Sequence, residues 1–122
     1  MTAPRRIDPA NRWSAAIGYS RAVRAGDRVL VSGTTAAGDG AYAQAKAALA
    51  VIAWALRELG AGPEHVVRTR MYLADIERDW EAVGRAHAEM FGAYPPAATM
   101  VQVARLIDPV LLVEIEAEAI AG

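Results

Sequence analysis

Apolar and polar residues alternate with a period of two along much of this chain, which is the pattern of half-buried β-strands. Five strands are predicted on this basis: two within residues 18 to 33, and one each over residues 65 to 74, 97 to 106 and 111 to 120. A turn signal at residues 25 to 28 (AGDR) joins the first two strands into a hairpin. At the end of this hairpin Ser32 lies beside Gly33, where a ligand can approach the backbone closely.

Two other segments carry apolar residues at three- and four-residue spacings, which predicts amphipathic helices over residues 41 to 59 and about 78 to 91. The element order is then strand, strand, helix, strand, helix, strand, strand. This order predicts an α+β fold in which two helices lie on one face of a mixed sheet. The other face is left for another subunit to cover, so self-association is expected.

The composition predicts a single domain over residues 1 to 122, with residues 1 to 17 as an N-terminal extension. Hydrophobic residues make up 54% of the chain, but 28 residues are alanine against 27 of Val, Ile, Leu and Phe together. A core with so few large side chains is expected to gain part of its stability from a subunit interface.

Charge and residue content exclude several partners and cofactors. A formal net charge of −1, with no stretch of five like charges, argues against binding to nucleic acid. The absence of cysteine excludes disulfides and thiolate sites and favours a cytoplasmic location. No apolar run is long enough to span a membrane, and residues 1 to 12 lack the apolar region of a signal peptide. His65 and His87 lack metal-ligand spacing and no phosphate-binding loop is present, so no metal or cofactor is expected.

Three glutamates, Glu114, Glu116 and Glu118, share one face of the last predicted strand. Arg68 and Arg70 have the same spacing on another strand, so a cross-strand ladder of ion pairs explains most of these charges. Glu114 lies nearer the start of its strand, where a carboxylate with a raised pKa can position or deprotonate a water molecule. From the residues alone, both interpretations of Glu114 stay open.

Tyr19 and Ser32 are further candidates, because their hydroxyl groups stand on neighbouring strands of the predicted hairpin and can face one ligand. Placement on the open surface explains them equally well. Ser32 has no histidine base and no Gly-x-Ser-x-Gly elbow, so a hydrolytic triad is not predicted. Trp13, Trp54 and Trp80 are interpreted as packing residues rather than as a platform for stacking bases.

Five segments carry the pattern of a known family: residues 18 to 21 (GYSR), 31 to 34 (VSGT), 67 to 73 (VRTRMYL), 96 to 106 (PAATMVQVARL) and 113 to 117 (VEIEA). They resemble the signature regions of the Rid family, the reactive-intermediate deaminases, also called YjgF or L-PSP endoribonuclease-like proteins. The resemblance covers essentially the whole chain from Gly18 onward, in length and element order as well.

The resemblance implies a chorismate-mutase-like (YjgF-like) fold assembled as a homotrimer, with three ligand clefts at the subunit interfaces. Family members of the best-known type hydrolyse enamines and imines to 2-oxo acids and ammonia without a cofactor. Matched to the family pattern, Tyr19 is a ligand-facing hydroxyl, Ser32 lies at the floor of the cleft, and Glu114 is the carboxylate that handles water.

Ala98 is the main departure from the family pattern. It stands two residues after Pro96, where the family has an arginine that binds the substrate carboxylate bidentately. Because a methyl group cannot pair with a carboxylate, a substrate other than a typical 2-imino acid is predicted. Met100 replaces a frequent cysteine and makes the pocket more apolar, and Gly18 stands where a proline is common.

Two classes of function follow. As an enzyme, the protein would hydrolyse or deaminate a small imine, enamine or related carbonyl-derived metabolite, with Tyr19 and Ser32 holding it and Glu114 ordering water. As a non-catalytic protein, it would bind a small molecule in the same cleft or serve as an assembly partner. Endoribonuclease activity is a minor alternative, disfavoured by the near-neutral charge and the lack of a histidine pair.

Overall fold

The computed structural model describes residues 3–122 of the chain. Within these residues it contains a six-stranded sheet, three α-helices and a 3₁₀ turn over Pro63–His65. The strands are β1 (Arg5–Ile7), β2 (Ala22–Ala25), β3 (Arg28–Thr34), β4 (Val66–Leu73), β5 (Ala97–Gln102) and β6 (Val113–Ile120). The helices are α1 (Arg12–Ile17), α2 (Ala41–Glu58) and α3 (Ile76–Phe91).

The sheet has the strand order β1-β2-β3-β6-β4-β5. β4 and β5 pair in parallel, and all other neighbours pair antiparallel. α2 packs on β3 and β6, and α3 packs on α2, β4 and β5. The predicted α+β fold, a mixed sheet with two long helices on one face, is therefore confirmed. None of the helices in residues 3–122 combines the length and apolar character that a bilayer crossing requires.

Small side chains bring α2 close to the sheet. Ala45, Ala48 and Ala55 have no exposed surface, and Ile52 lies fully buried among them. α2 ends one residue earlier than predicted, and Gly60 follows with a φ of 79°, the left-handed conformation that commonly stops a helix. The alanines therefore fill a narrow gap between helix and sheet to the density of a protein interior.

The regular alternation predicted over residues 65 to 74, which would place Val66 on the same face as Arg68, is interrupted at the first residues of β4. Val66 pairs with Ala119 of β6, but Arg68 pairs with Glu118, so Val67 is an extra residue in the ladder. Because of this irregularity, the side chain of Val66 lies in the core, where it is 4% exposed. It does not share the face of the sheet on which Arg68 lies. From Arg68 onward the alternation follows the prediction.

The prediction that the tryptophans pack in the core is wrong for two of them. Trp54 and Trp80 are 44% and 53% exposed. On α3 the buried stripe includes Asp79 in place of its neighbour Trp80. Asp79 tolerates burial because its carboxylate accepts two hydrogen bonds from the guanidinium of Arg78, at 3.0 and 2.8 Å.

The last two strands are shorter than predicted and leave residues 103 to 112 as a loop. Gln44 of α2 holds this loop in place. Its side chain donates a hydrogen bond to the carbonyl oxygen of Val110 at 3.1 Å and accepts one from the backbone N–H of Leu112 at 2.9 Å. α2 thereby fixes the approach to β6.

Two elements lie within the predicted N-terminal extension, where no element was predicted. β1 pairs with β2 and forms one edge of the sheet. α1 begins after Asn11, whose side-chain oxygen accepts hydrogen bonds from the backbone N–H groups of Trp13 and Ser14 at 2.9 and 3.1 Å. It ends at Gly18, which has a φ of 78°. Residues 1 and 2 of the predicted extension lie outside the described residues.

The face of the sheet opposite the long helices, here called the open face, carries the three glutamates of β6. Arg70 of β4 lies 3.8 Å from Glu116 and 3.4 Å from Glu118. Arg28 of β3 lies 3.2 Å from Glu118. A ladder of ion pairs is therefore formed by Glu116 and Glu118, and Glu114 stands beyond its end. Of the two arginines predicted for it, Arg70 takes part, whereas Arg68 forms no ion pair with these glutamates and Arg28 takes its place.

Candidate functional site

A bulge in β3 shapes one end of the open face. The pairing of β3 with β6 shifts between Val31 and Thr34, so that Ser32 and Gly33 together occupy the space of one residue in the ladder. Thr34 returns to the core and is 2% exposed. The bulge places the backbone of Gly33 directly against the side chain of Glu114 on β6.

A cavity of about 410 Å³ adjoins this bulge. It brings together three of the predicted site residues, Tyr19, Ser32 and Glu114. Its other lining residues come from α1, the hairpin and the loops near β6: Asn11, Trp13, Ile17, Arg21, Gly33, Thr35 and Ile107. A few polar groups among apolar side chains in a volume of this size are typical of a small-molecule site.

Glu114 is the acidic group of the cavity, and it is half-buried. Burial is the main cause that raises the pKa of its carboxyl group, and the negative charge of Glu116 raises it further, while the positive charge of Arg21 lowers it. A carboxyl group with a raised pKa exchanges protons closer to neutral pH than an ordinary glutamate does. Glu114 is therefore suited to accept and return a proton.

Gly33 leaves the space that the Glu114 side chain occupies. A Cβ atom at position 33 would lie 2.9 Å from Cδ and 3.3 Å from Cγ of Glu114, and closer still to one carboxylate oxygen. The end of the glutamate side chain would have to move. The carboxyl group of Glu114 can therefore lie here only because residue 33 is a glycine and has no Cβ atom.

In the variant Gly33→Ala, the pKa of Glu114 is expected to fall towards the ordinary value of a glutamate. The displaced carboxyl group becomes more hydrated, and burial is the main cause of its raised pKa. A ¹³C NMR titration of the side-chain carboxyl carbon measures this change. Gly84→Ala, on α3 where an added Cβ meets open space, is the matched control. An unchanged Glu114 titration in Gly33→Ala would contradict the steric role of position 33.

Tyr19 lies between α1 and β2, and not on a strand of the hairpin as predicted. Its hydroxyl oxygen accepts a hydrogen bond from Nδ2 of Asn11 at 2.6 Å and another from Nη2 of Arg21 at 3.2 Å. The guanidinium of Arg21 also lies 5.6 Å from the centre of the Tyr19 ring. The phenol is therefore held from two sides at the cavity wall.

Arg21 ties Tyr19 to the bulge. Its side chain is buried, and Nη1 donates to the carbonyl oxygen of Gly33 at 3.1 Å and to Oγ1 of Thr34 at 2.7 Å. Ser32 is held as well, since its hydroxyl donates to the carbonyl oxygen of Ser20 at 2.6 Å. The proton of Ser32 is thus engaged, and its oxygen offers an acceptor to the cavity.

Comparison with known proteins shows to which family this chain belongs. The sequence profile of the family described as Endoribonuclease L-PSP matches residues 9–121. The chain belongs to this family, also called YjgF. The resemblance to the Rid family, which is the same family under another name, is thereby confirmed.

Several YjgF family members are similar over nearly the full chain. The crystal structure of Rv2704 from Mycobacterium tuberculosis, a member of the YjgF/YER057c/UK114 family, has 47% sequence identity and a TM-score of 0.94, covering 98% of this chain and 100% of that one. A protein of Streptomyces coelicolor is 44% identical over 98% of this chain and 94% of its own length. A RutC family protein of Synechocystis is 38% identical over 97% and 90%.

Ala98 and Met100, the other predicted site residues of this YjgF family chain, do not line the cavity of their own subunit. On β5 they pair with Thr69 and Met71 of β4, both of which are buried on the helix side of the sheet. Since paired residues share a face, Ala98 and Met100 lie on that side, opposite Glu114. Ala98 is exposed, and Met100 packs at the margin of the core.

The sequence did not single out Asn11, Arg21, Trp13 or Ile17 as cavity residues of this YjgF family chain. A signal for Asn11 was present, because an asparagine followed seven residues later by a glycine is the pattern of a capped short helix. α1 has only six residues, too few to show helical periodicity. Arg21 gave no signal, because a single arginine in a hairpin is ordinarily a surface residue.

Proposed function

We propose that this protein is a homotrimeric hydrolase of small imines or enamines that carry no essential carboxylate group. The placement of Glu114, with its raised pKa, in one cavity with the hydroxyl groups of Tyr19 and Ser32 supports this function most directly. Addition of water to a C=N bond needs one group that moves protons and others that hold the substrate. The cavity offers each of these.

In the proposed reaction, the oxygen of a water molecule bonds to the imine carbon as the electron pair of the C=N bond moves to nitrogen. Glu114 accepts the proton that this water loses and returns it to the nitrogen. Glu114 next takes the hydroxyl proton of this intermediate and passes it to the amine nitrogen. The C–N bond then breaks, ammonia leaves, and the carbon becomes the carbonyl carbon of the product. An enamine enters the same path after it tautomerises to the imine, with its β-carbon gaining a proton as its nitrogen loses one.

Ala98 supports a substrate without a carboxylate anchor. The family resemblance implies an arginine at this position that binds the substrate carboxylate. The methyl group of Ala98 cannot form an ion pair with a carboxylate. Met100, where a cysteine is frequent, adds apolar surface to the same strand. An uncharged imine with an apolar body fits these replacements best.

The edge strand β5 supports the homotrimer. Its sequence, AATMVQ, contains no charged residue, and all its residues but Met100 are exposed in the isolated chain. Exposed and uncharged edge strands promote association with other chains. In the proposed trimer this strand reaches a neighbouring subunit and carries Ala98 and Met100 to the neighbour's cavity, which completes the ligand cleft.

The experiment that tests the proposal compares freshly generated imines in an ammonia-release assay with purified protein. Uncharged aryl and branched alkyl imines are expected to be hydrolysed faster than in buffer, and 2-imino acids to show little acceleration. Ala98→Arg is expected to shift this preference towards 2-imino acids, because it restores a carboxylate-binding group. Light scattering is expected to give three times the 13.0 kDa mass of one chain.

Three results would count against the proposal or a part of it. No acceleration with any imine, charged or uncharged, would favour a non-catalytic binding protein. A monomer at micromolar concentration would remove the shared cleft. Ala98→Arg without activity on 2-imino acids would show that the preference depends on more than position 98.

A further inference from the structure

We propose that Asn11 is a positioning residue that makes the Tyr19 hydroxyl an obligatory hydrogen-bond donor. The cavity therefore selects an uncharged ligand that places an acceptor, such as an imine nitrogen or a carbonyl oxygen, next to this hydroxyl group. The inference rests on the proposed function for the reaction, and its test measures ligand binding independently of catalysis. It assigns to α1 a part in the choice of substrate.

The orientation of the Asn11 amide follows from its role as helix cap. Its Oδ1 atom accepts hydrogen bonds from the backbone N–H groups of Trp13 and Ser14, at 2.9 and 3.1 Å. Only the oxygen of the amide can accept these bonds, so the Nδ2 group has to face the other way. There it donates to the Tyr19 hydroxyl oxygen at 2.6 Å.

Tyr19 therefore receives donors from two sides. Besides Asn11, Nη2 of Arg21 donates to the same oxygen at 3.2 Å. A phenol has one proton, and with its oxygen accepting two hydrogen bonds that proton must point away from both donors. Tyr19 lines the cavity, and a ligand bound there is a partner that can accept its proton.

Arg21 does not supply the missing carboxylate anchor. It is only 8% exposed, and three of its N–H groups are engaged with Tyr19, Gly33 and Thr34. An end-on bidentate pair of Nη1 and Nη2 with a ligand carboxylate would require the guanidinium to give up the hydrogen bonds that hold the bulge. The polar end of the cavity thus favours an uncharged acceptor.

The rest of the cavity favours an apolar ligand body. Ile17 and Ile107 line it and are 60% and 48% exposed in the isolated chain. Trp13 adds an aromatic wall whose ring is covered by the guanidinium of Arg12 at 4.1 Å. An aryl or branched alkyl ketone, or the imine derived from it, combines such a body with one acceptor.

The test reverses the direction of the Tyr19 hydroxyl without removing the helix cap. Asn11→Asp keeps an oxygen that caps α1, since aspartate caps as well as asparagine, but replaces the Nδ2 donor by an acceptor. The Tyr19 proton then turns to the new carboxylate and away from the ligand. Asn11→Ser also caps the helix but is too short to hold Tyr19, so an intermediate effect is expected.

Binding is measured by NMR titration with acetophenone, an acceptor, and with ethylbenzene, which has the same aromatic body and no acceptor. The parent protein is expected to bind acetophenone about tenfold or more tightly than ethylbenzene, because ethylbenzene leaves the proton of Tyr19 without a partner. Asn11→Asp is expected to weaken acetophenone binding about tenfold. Ala16→Asp, an exposed position on the same helix that does not line a pocket with Tyr19, adds the same charge and should bind like the parent.

A double-mutant cycle separates positioning from a general structural effect. In the Tyr19→Phe background, Asn11→Asp is expected to cause no further loss of acetophenone binding, because the hydroxyl it acts through is absent. Additive losses would overturn the proposal, as would parent-like binding in Asn11→Asp or acetophenone that binds no tighter than ethylbenzene. Protein that shows the predicted binding but hydrolyses no imine would refute the proposed function and leave this inference standing.

Discussion

Replacement of Glu114 by glutamine is expected to lower the rate of ammonia release from an uncharged imine by about 10² to 10⁴-fold, the usual contribution of a general acid–base group. Glutamine has nearly the same size and keeps the hydrogen-bonding capacity of one oxygen, but it cannot take up the proton of the attacking water. The fold, the oligomeric state and the KM for the imine should change little. Steady-state kinetics with light scattering on the same samples measures all three.

The pH dependence of the reaction gives a second measure of the same carboxyl group. If Glu114 accepts a proton from water, its ionised form is the active one, so the rate falls as the pH drops through its pKa. Because burial and Glu116 raise that pKa, the acidic limb should lie at higher pH than an ordinary glutamate would give. Glu116→Gln removes the second of these causes and should move the limb to lower pH.

Glu118→Gln is the matched control for both measurements. Glu118 lies on the same strand and face as Glu114, but it pairs with Arg28 and Arg70 in the ladder and lies outside the cavity. Its loss should leave kcat and the acidic limb where they are. Equal losses of rate in Glu114→Gln and Glu118→Gln would show that the charge of the open face, and not a carboxyl group in the cavity, supports the reaction.

The parts of this fold that could be predicted are those set by local pattern. Alternation along β6 placed Glu114, Glu116 and Glu118 on one face because the strand is regular from Val113 onward. The position of Glu114 at the start of the strand allowed it to stand apart from the ladder but left both interpretations open. Tyr19 was a candidate from the residues alone, but on the wrong ground, since it lies on no strand; only the family resemblance marked it as facing a ligand.

The parts that could not be predicted depend on pairing between distant segments. The bulge at Ser32 and Gly33 is a relation between β3 and β6, and the extra residue Val67 is a relation between β4 and β6. The sequence of one strand does not reveal its register with the neighbouring strand, because an inserted residue leaves the local composition unchanged. The bulge determines which atoms contact Glu114. The contacts within the site therefore could not be predicted from the periodicity of the sequence.

Neighbouring residues on a helix posed a different difficulty. Asp79 and Trp80 are adjacent on α3, and the apolar one was expected inside. The structure buries Asp79, which Arg78 neutralises with two hydrogen bonds, and leaves Trp80 at the surface. Hydrophobicity ranks single side chains, whereas burial depends on the pairs that they form.

The alanine-rich face of α2 leads to the largest expected effect on stability. Ala55→Leu is expected to lower the free energy of unfolding by about 1–3 kcal/mol, the usual cost of extra methylene groups in a packed core. Ala55 has no exposed surface and belongs to the main hydrophobic core, so a leucine there has to push α2 away from its neighbours. Urea unfolding at fixed protein concentration measures the change, since association also contributes to apparent stability.

Ala50→Leu tests whether position, rather than the residue change, causes this loss. Ala50 is exposed on the same helix, where leucine has nearly the helix propensity of alanine, so its effect should stay within about 0.5 kcal/mol. α2 also carries Gln44, which fixes the loop before β6, so displacement of the helix in Ala55→Leu should disturb the position of Glu114 as well. A stable Ala55→Leu variant with an unchanged Glu114 titration would show that the gap between α2 and the sheet accepts larger side chains, and that alanine is not required there.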